Sequence, residues 1–472
     1  MDKEDGISKF GLTALIVSSS IGTGIFGITS DMANAAAPGP ALLSWLFCGI
    51  GIYALVLSLN NLSKKRPELD SGIFSYAKAA FGPLGGFLSG WGYWLSAWLG
   101  NIAFATMLMS AIGYFIPIFK GGQNLPSILC AIIFVWGLSL LVNNGVESAS
   151  FVNTIVTICK LVPLVVFMII VAVSFKAGVF TADFWGNVAN NVLHGGKVIS
   201  VFGQMKQSIM IIMWVFIGIE GASVLANRAK KRSDAQAATI MGLATLIIVY
   251  VFASILPYGV LTQAQLATIK QPAMANILKH VVGEWGAIFI NIGVIISTLG
   301  AWLSWTMLPA ETTTLMAKDH ELPSYWGKLN SKKAPTISLV ITGILQTLFL
   351  FTLLATNYAY NFAYTLATAA ILLSYLLVGV YQVKYSYKNG EWGQLFIGVI
   401  AAGFQLLAMV LAGWQQVMMT TIAYLPGFYF YWVACKEYGH KISVKEKIVM
   451  GIILILAIVT IGLIINGTIK IG

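Results

Sequence analysis

The run Ser18-Ser19-Ser20-Ile21-Gly22-Thr23-Gly24-Ile25-Phe26 places two glycines one residue apart, directly after three hydroxyl side chains. It lies in the middle of an apolar segment from about Phe10 to Ala36. Each glycine inside a helix costs about 1 kcal/mol relative to alanine. In lipid, every freed backbone N–H and C=O must also find a partner. Such a break is tolerable where the backbone faces a polar cavity or a ligand, so the run predicts unwinding at Ile21–Gly24. Close helix packing through small residues is the competing reading. A second run, Trp214-Val215-Phe216-Ile217-Gly218-Ile219-Glu220-Gly221-Ala222-Ser223, sits in another apolar segment from roughly Ser208 to Asn227. It repeats the paired glycines and adds a carboxylate at membrane depth. Glycine-interrupted segments at corresponding positions of two halves point to the binding site of a secondary transporter.

The chemistry of such breaks is specific. A half-helix beginning at Thr23–Gly24 offers free N–H groups and a positive dipole end, which suit a carboxylate. The carbonyls near Ser19 and Ser20, with those of Phe216 and Ile217, suit an ammonium. A ligand carrying both groups on one carbon is an α-amino acid. Glu220 is expensive inside a spanning segment and reads as functional; a hydrogen-bonding role between helices is the structural alternative. Lys160, in Thr157-Ile158-Cys159-Lys160-Leu161-Val162-Pro163, is the one lysine placed deep in a spanning segment. Its ammonium can stand where another transporter holds a sodium ion, or it can snorkel to an interface. Trp214 and Trp305 are candidate cation–π partners, with Trp302 one turn from Trp305; packing is the alternative for each. Glu311 suits a gate or a structural role as well as substrate contact.

The elements that must carry these residues are membrane helices. The 472-residue chain is 58% hydrophobic and 10% charged, where soluble domains carry about 25% charged residues; its mean hydropathy is +0.83. Spans of about 20 apolar residues are read near 10–36, 41–62, 84–113, 125–143, 151–174, 206–228, 236–258, 284–316, 336–354, 359–384, 395–414, 417–435 and 447–467, about thirteen in all. With the N-terminus in the cytoplasm, 20 of the 28 basic residues fall inside and seven outside, the bias expected of cytoplasmic loops. The outer stretch Lys176–Gln207, with Asp183, His194 and Gly195-Gly196, reads as a cover over a vestibule. The outer stretch Gln263–Val282 has a helical apolar pattern and reads as a surface lid. The basic residues are scattered among short loops, which argues against nucleic-acid binding. Cys48, Cys130, Cys159 and Cys435 have no ligand spacing, so free thiols are expected, with neither disulfide nor metal. The first apolar segment is too long for the core of a cleaved signal.

With these residues in place, the chain resembles the basic amino acid/polyamine antiporters of the amino acid–polyamine–organocation superfamily. The likeness runs from about Gly11 to Tyr385. It rests on the two runs above together with Ser71-Gly72-Ile73-Phe74-Ser75-Tyr76-Ala77, Tyr93-Trp94-Leu95-Ser96-Ala97-Trp98-Leu99-Gly100-Asn101 and Trp305-Thr306-Met307-Leu308-Pro309-Ala310-Glu311-Thr312. The resemblance implies an all-α polytopic fold of two inverted five-helix repeats, with helices 1 and 6 broken. The first repeat is 10–174, the second 206–384, and further helices occupy 395–467. It implies a substrate between helices 1, 3, 6, 8 and 10, with Thr23 and Gly24 on its carboxylate and Ser20, Trp214 and Ile217 facing its α-amino group. Trp305 matches the position packing on the side chain, Asn101 a polar contact on helix 3, and Thr368 a position on helix 10. Tyr93 and Glu220 match gating positions, Glu220 also linked to protonation. Lys160 matches a lysine that replaces the sodium site. The run from Ile217 to Ser223 continuing through Ala229-Lys230-Lys231-Arg232-Ser233-Asp234, with the thirteenth helix, is most similar to arginine/ornithine exchangers. Ser19, Ala97 and the helix-10 run Tyr364-Thr365-Leu366-Ala367-Thr368 depart from the arginine/agmatine branch.

The expected activity is therefore sodium-independent exchange of a basic amino acid for its metabolic product across a bacterial cell membrane, arginine for ornithine first. Histidine/histamine exchange, lysine/cadaverine exchange and proton-coupled uptake are the alternatives. No nucleophile–base pair or metal set suggests an enzyme, no cofactor is implied, and no repeated pore loop suggests a channel. The partners expected are the cationic substrate, its exchange product and membrane lipid; a homodimer is left open.

Overall fold

A computed structural model describes residues 8–69, 72–145, 150–188, 193, 197–221, 232–355 and 359–469. Ser71, His194–Gly196, Ala222–Ser223 and Ala229–Lys231, named above, lie outside them. The first apolar segment forms two helices, α1 (Lys9–Ser20) and α2 (Gly24–Ala35). Next come α3 (Pro38–Lys65), α4 (Ile73–Phe81), α5 (Pro83–Phe115), α6 (Leu125–Asn143) and α7 (Ser150–Val173, with Pro163 inside). They are followed by α8 (Ala177–Thr181), α9 (Val201–Val215), α10 (Arg232–Ile255), α11 (Gln263–Ala267), α12 (Ala273–Val282) and α13 (Glu284–Lys318). The chain continues through α14 (Thr336–Thr352), α15 (Ala359–Lys388), α16 (Trp392–Leu407), α17 (Trp414–Glu437) and α18 (Val444–Ile465). No strand occurs among the described residues.

Ten helices among the described residues are long and apolar enough to cross a membrane. The halves α1 and α2, at 12 residues each, are too short to do so singly. Apolar residues face outward where water would penalise them: on α18, Ile455, Ile458 and Ile465 are 62%, 60% and 81% exposed. Lipid is the solvent that makes such a face favourable, and the protein is an all-α polytopic membrane protein. Between α16 and α17, where two apolar segments nearly touch in the sequence, a short π-helical turn over Ala408–Ala412 leads to Gly413.

The chain divides into two compact units. The first comprises Met1–Val56, Phe104–Ser127 and Ser148–Ala301; the second comprises Leu57–Ala103, Ile128–Glu147 and Trp302–Gly472. Within the first, α2 packs against α9, α10, α11 and α12. The stretch expected as a surface lid is more deeply seated than that: Leu266, Met274, Ile277 and Leu278 are fully buried. Gln271, between α11 and α12, donates from Nε2 to the Gly27 carbonyl, Ser30 Oγ and Asp31 Oδ1 at 3.1–3.3 Å. The stretch before α9 is anchored too. Gly39 N–H donates to the Phe184 carbonyl at 2.9 Å, and Ala37 N–H to Gln204 Oε1 at 2.9 Å. Gln204 Nε2 in turn donates to the carbonyls of Trp185 and Ile199. Within the second unit, α15 packs on α16, α4 and α17.

Candidate functional site

The break in the first helix is local and well defined. α1 ends with Ile21 at φ −72°, ψ 102°, an extended conformation, and its N–H still reaches the Val17 carbonyl. Thr23 precedes α2 without a side-chain cap; Phe26 N–H donates to the Thr23 carbonyl at 3.0 Å, and the N–H groups before it are left for another acceptor. Ser20 and Thr23 are buried, and neither hydroxyl has a hydrogen-bond partner among the described residues. The loose end of α1 is held from a distance: the Tyr250 hydroxyl on α10 donates to the Ser20 carbonyl at 3.2 Å. Tyr250 is fixed in turn by aromatic neighbours, with ring centroids 5.2 Å from Phe216 and 6.4 Å from Trp45.

The second break follows α9. Phe216–Glu220 form tight turns, in which the Phe216 carbonyl accepts from Ile219 N–H and the Gly218 carbonyl from Gly221 N–H. Gly218 has φ +103°, a region that side-chain-bearing residues enter only with strain. Glu220 is 4% exposed, and its Oε2 accepts from Gly218 N–H at 3.0 Å. The carboxylate thus closes the turn that positions it. The residues from 222 to 231 fall outside the described ones.

Within the first unit the two breaks meet. A Cβ at Gly24 would lie 2.7 Å from Trp214 Nε1 and 3.0 Å from a Val215 methyl. Glycine at 24 is what lets the last turn of α9 approach the first turn of α2. Trp214 also packs on Phe104, ring centroids 6.2 Å apart. Ile217, in the turn, is buried. Lys160 is 5% exposed on α7, three residues before Pro163. Its helix lies close on α13, since a Cβ at Gly293 would come within 2.5 Å of Pro163 Cγ. Snorkelling buries the aliphatic stem but requires the ammonium head to reach the surface, and the burial of Lys160 as a whole disfavours it.

The second unit carries Tyr93, Asn101, Trp305 and Thr368. Asn101 is fully buried, and its Nδ2 donates to the Trp305 carbonyl at 3.0 Å, joining those two candidates. Asn101 Oδ1 has no hydrogen-bond partner among the described residues. Thr368 is fully buried and donates to its own helix at the Tyr364 carbonyl, 2.7 Å away. What it offers a ligand is an oxygen lone pair. Tyr93 is 8% exposed, Trp305 half-buried and Trp302 fully buried against Phe134. Glu311 is exposed and lines a different cavity of this unit.

Four contributors escaped the sequence reading: Tyr250, Gln204, Gln271 and Asp31. For Asp31 a signal existed, a carboxylate inside the first apolar segment, which is costly by default. The others are uncharged, and nothing in their neighbourhoods distinguishes them. All four cysteines are free thiols.

A family model described as amino acid permease matches residues 7–435. An arginine/ornithine antiporter of Latilactobacillus sakei is 55% identical, with 100% of both chains covered. An arginine/ornithine antiporter of Pseudomonas aeruginosa is 38% identical over 95% of each chain. An arginine/agmatine antiporter of Chlamydia caviae is 36% identical over 96% of each.

Proposed function

The chain belongs to the amino acid permease family, and from that premise we propose that it is an antiporter exchanging arginine for ornithine across a bacterial cell membrane. The observation that carries the reading is the pair of helix breaks, with Trp214 of one seated on Gly24 of the other. That arrangement presents an uncapped helix N-terminus beside an aromatic ring, where a carboxylate and an ammonium on one carbon can both be satisfied. The names of the relatives at 55% and 38% identity support the arginine/ornithine pair.

The roles follow residue by residue. Thr23 and Gly24 hold the carboxylate through backbone N–H groups. Ser20, Trp214 and Ile217 face the α-amino group. Trp305 stacks on the cationic side chain, with Asn101 and Thr368 offering oxygen acceptors. Tyr93 and Glu220 gate the pathway, and Lys160 supplies the fixed charge that dispenses with sodium. The N-terminus lies in the cytoplasm, supported by the lysine and arginine bias of the loops. The division into inverted repeats at 10–174 and 206–384, with 395–467 added, belongs to the same proposal; the two breaks support it.

Counterflow in proteoliposomes tests it. Labelled arginine enters vesicles loaded with ornithine and not empty ones, and replacing sodium with choline leaves the rate unchanged. Equal accumulation in empty vesicles under a proton gradient replaces the antiporter with an uptake permease. Loading with agmatine, histamine or cadaverine in place of ornithine separates the substrate pairs. A saturable sodium requirement removes the role given to Lys160.

A further inference from the structure

The second unit contains a cavity of about 320 Å3 at the ends of three spans. It lies where α6 and α13 finish and α14 begins. Its apolar wall includes Val142, Met307, Leu315 and Pro335, and its charges are Lys318, Lys332, Lys333 and Glu311. Lys318 is the last residue of α13, and Lys332 and Lys333 belong to the loop entering α14. The three lysines are exposed and line one cavity at the ends of these spans. Glu311 precedes Lys318 by seven residues on the same helix, about 10 Å along its axis. Glu311 lines the same cavity, so an anion there meets three positive charges against one negative.

The loop is built rather than slack. Asn330 Oδ1 accepts from the N–H groups of Lys332 and Ala334 at 2.9 and 3.0 Å. Asn330 Nδ2 donates to the Asn143 carbonyl at 2.9 Å, and the Thr336 hydroxyl to Asn143 Oδ1 at 2.6 Å. These bonds pin the loop to the end of α6 and hold Lys333 at φ +60°, a conformation seldom taken by lysine. Lys332 Nζ is aimed by a bond to Asn144 Oδ1 at 3.0 Å. Three positive charges and one negative, an apolar wall beneath them and a rigid basic loop fit one ligand chemistry.

We propose that this cavity binds a phosphate-bearing anion, its lysines taking the phosphate and its apolar wall the group attached to it. A phospholipid headgroup at the bilayer surface and a soluble phosphate both carry that chemistry. The site is independent of which amino acids are exchanged. The test uses the purified full-length protein in phosphatidylcholine-containing micelles, with thermal unfolding as the readout. Phosphatidylglycerol is titrated into one arm. Inorganic phosphate, against chloride at equal ionic strength, is titrated into the other. The triple variant Lys318→Gln, Lys332→Gln, Lys333→Asn keeps polarity, and asparagine tolerates the left-handed backbone. Each lysine removed is expected to raise the half-effect concentration about fivefold, and all three about a hundredfold. Lys441→Gln with Lys445→Gln, two exposed lysines elsewhere in this unit, should titrate like the wild type. A response confined to phosphatidylglycerol makes the ligand a lipid headgroup, and a response to inorganic phosphate makes it a soluble anion. If the triple variant does not fold, Lys332→Gln alone carries the comparison through its own fivefold shift. Identical titrations of wild type and lysine variants in both arms overturn the site.

Discussion

At Trp305 the backbone and the side chain have separate duties, and they can be separated by mutation. The carbonyl accepts from Asn101, and any substitution keeps it. Trp305→Leu therefore removes the indole face while leaving that bond in place. If the indole stacks on a cationic side chain, affinity should fall by about 1–2 kcal/mol, or roughly 5–30-fold, with Trp305→Phe losing less. Calorimetric titration with arginine checks this; equal, near-wild-type affinities in both variants would leave Trp305 a packing residue. Tyr250 offers a second separation. Tyr250→Phe keeps the ring among Trp45 and Phe216 but strips the donor from the Ser20 carbonyl. A single interhelical hydrogen bond in a membrane contributes about 0.6 kcal/mol and at most about 1.7, so the stability loss should be small. The exchange rate should fall further than stability does, because the bond positions the end of α1. Parallel decline of the two would make Tyr250 a structural tether only.

Among the elements, the turn after α9 poses the sharper question, because Glu220 closes that turn and is also the carboxylate proposed as a gate. Glu220→Gln retains an oxygen that can accept from Gly218 N–H and discards the ionisable proton. Its thermal stability should stay within about 0.5 kcal/mol of wild type, as for a substitution that leaves packing intact, while exchange slows and its profile from about pH 5 to 8 flattens. Wild-type rates with an unchanged profile would confine Glu220 to the turn. The position of this turn, like the break at Ile21–Thr23, was legible in the sequence, since paired glycines in an apolar run have a definite cost and few compensating arrangements. The partners of the breaks were not. Tyr250 lies 230 residues from Ser20 in an ordinary apolar segment, and only the folded backbone brings it there. Asn101 and Thr368 were legible only as positions that match the family's pattern, and the bonds they make to Trp305 and Tyr364 were not. The burial of the stretch from Gln263 to Val282 was missed because a surface lid and a packed pair of helices share one apolar periodicity.

For the molecule as a whole, stability against pH is set partly by a carboxylate that is outside the spanning helices and yet has no exposed surface. Glu321 lies against Gly86, where a Cβ would come 1.9 Å from its Oε1, and neither oxygen has a hydrogen-bond partner among the described residues. Lys78 Nζ stands 3.8 Å away but donates to the Asp319 carbonyl. Burial therefore outweighs the nearby ammonium and holds the Glu321 carboxyl well above the usual carboxylate range. A group raised in the folded state contributes stability that is full below its unfolded value and is lost as pH rises through its folded value. The wild-type unfolding midpoint should thus decline as pH rises above the ordinary carboxylate range, and Glu321→Gln should flatten that decline; parallel curves would mean the carboxyl is neutral in neither state. A last consequence concerns Gln204. Its amide accepts from Ala37 N–H on one side and donates to the Trp185 and Ile199 carbonyls on the other, so one side chain ties the start of α3 to two points of the segment that precedes α9. Gln204→Leu keeps the bulk and cuts these bonds at once, so limited proteolysis should cleave beside Trp185 many-fold faster than in the wild type, while unchanged cleavage would mean that the segment is held by other contacts.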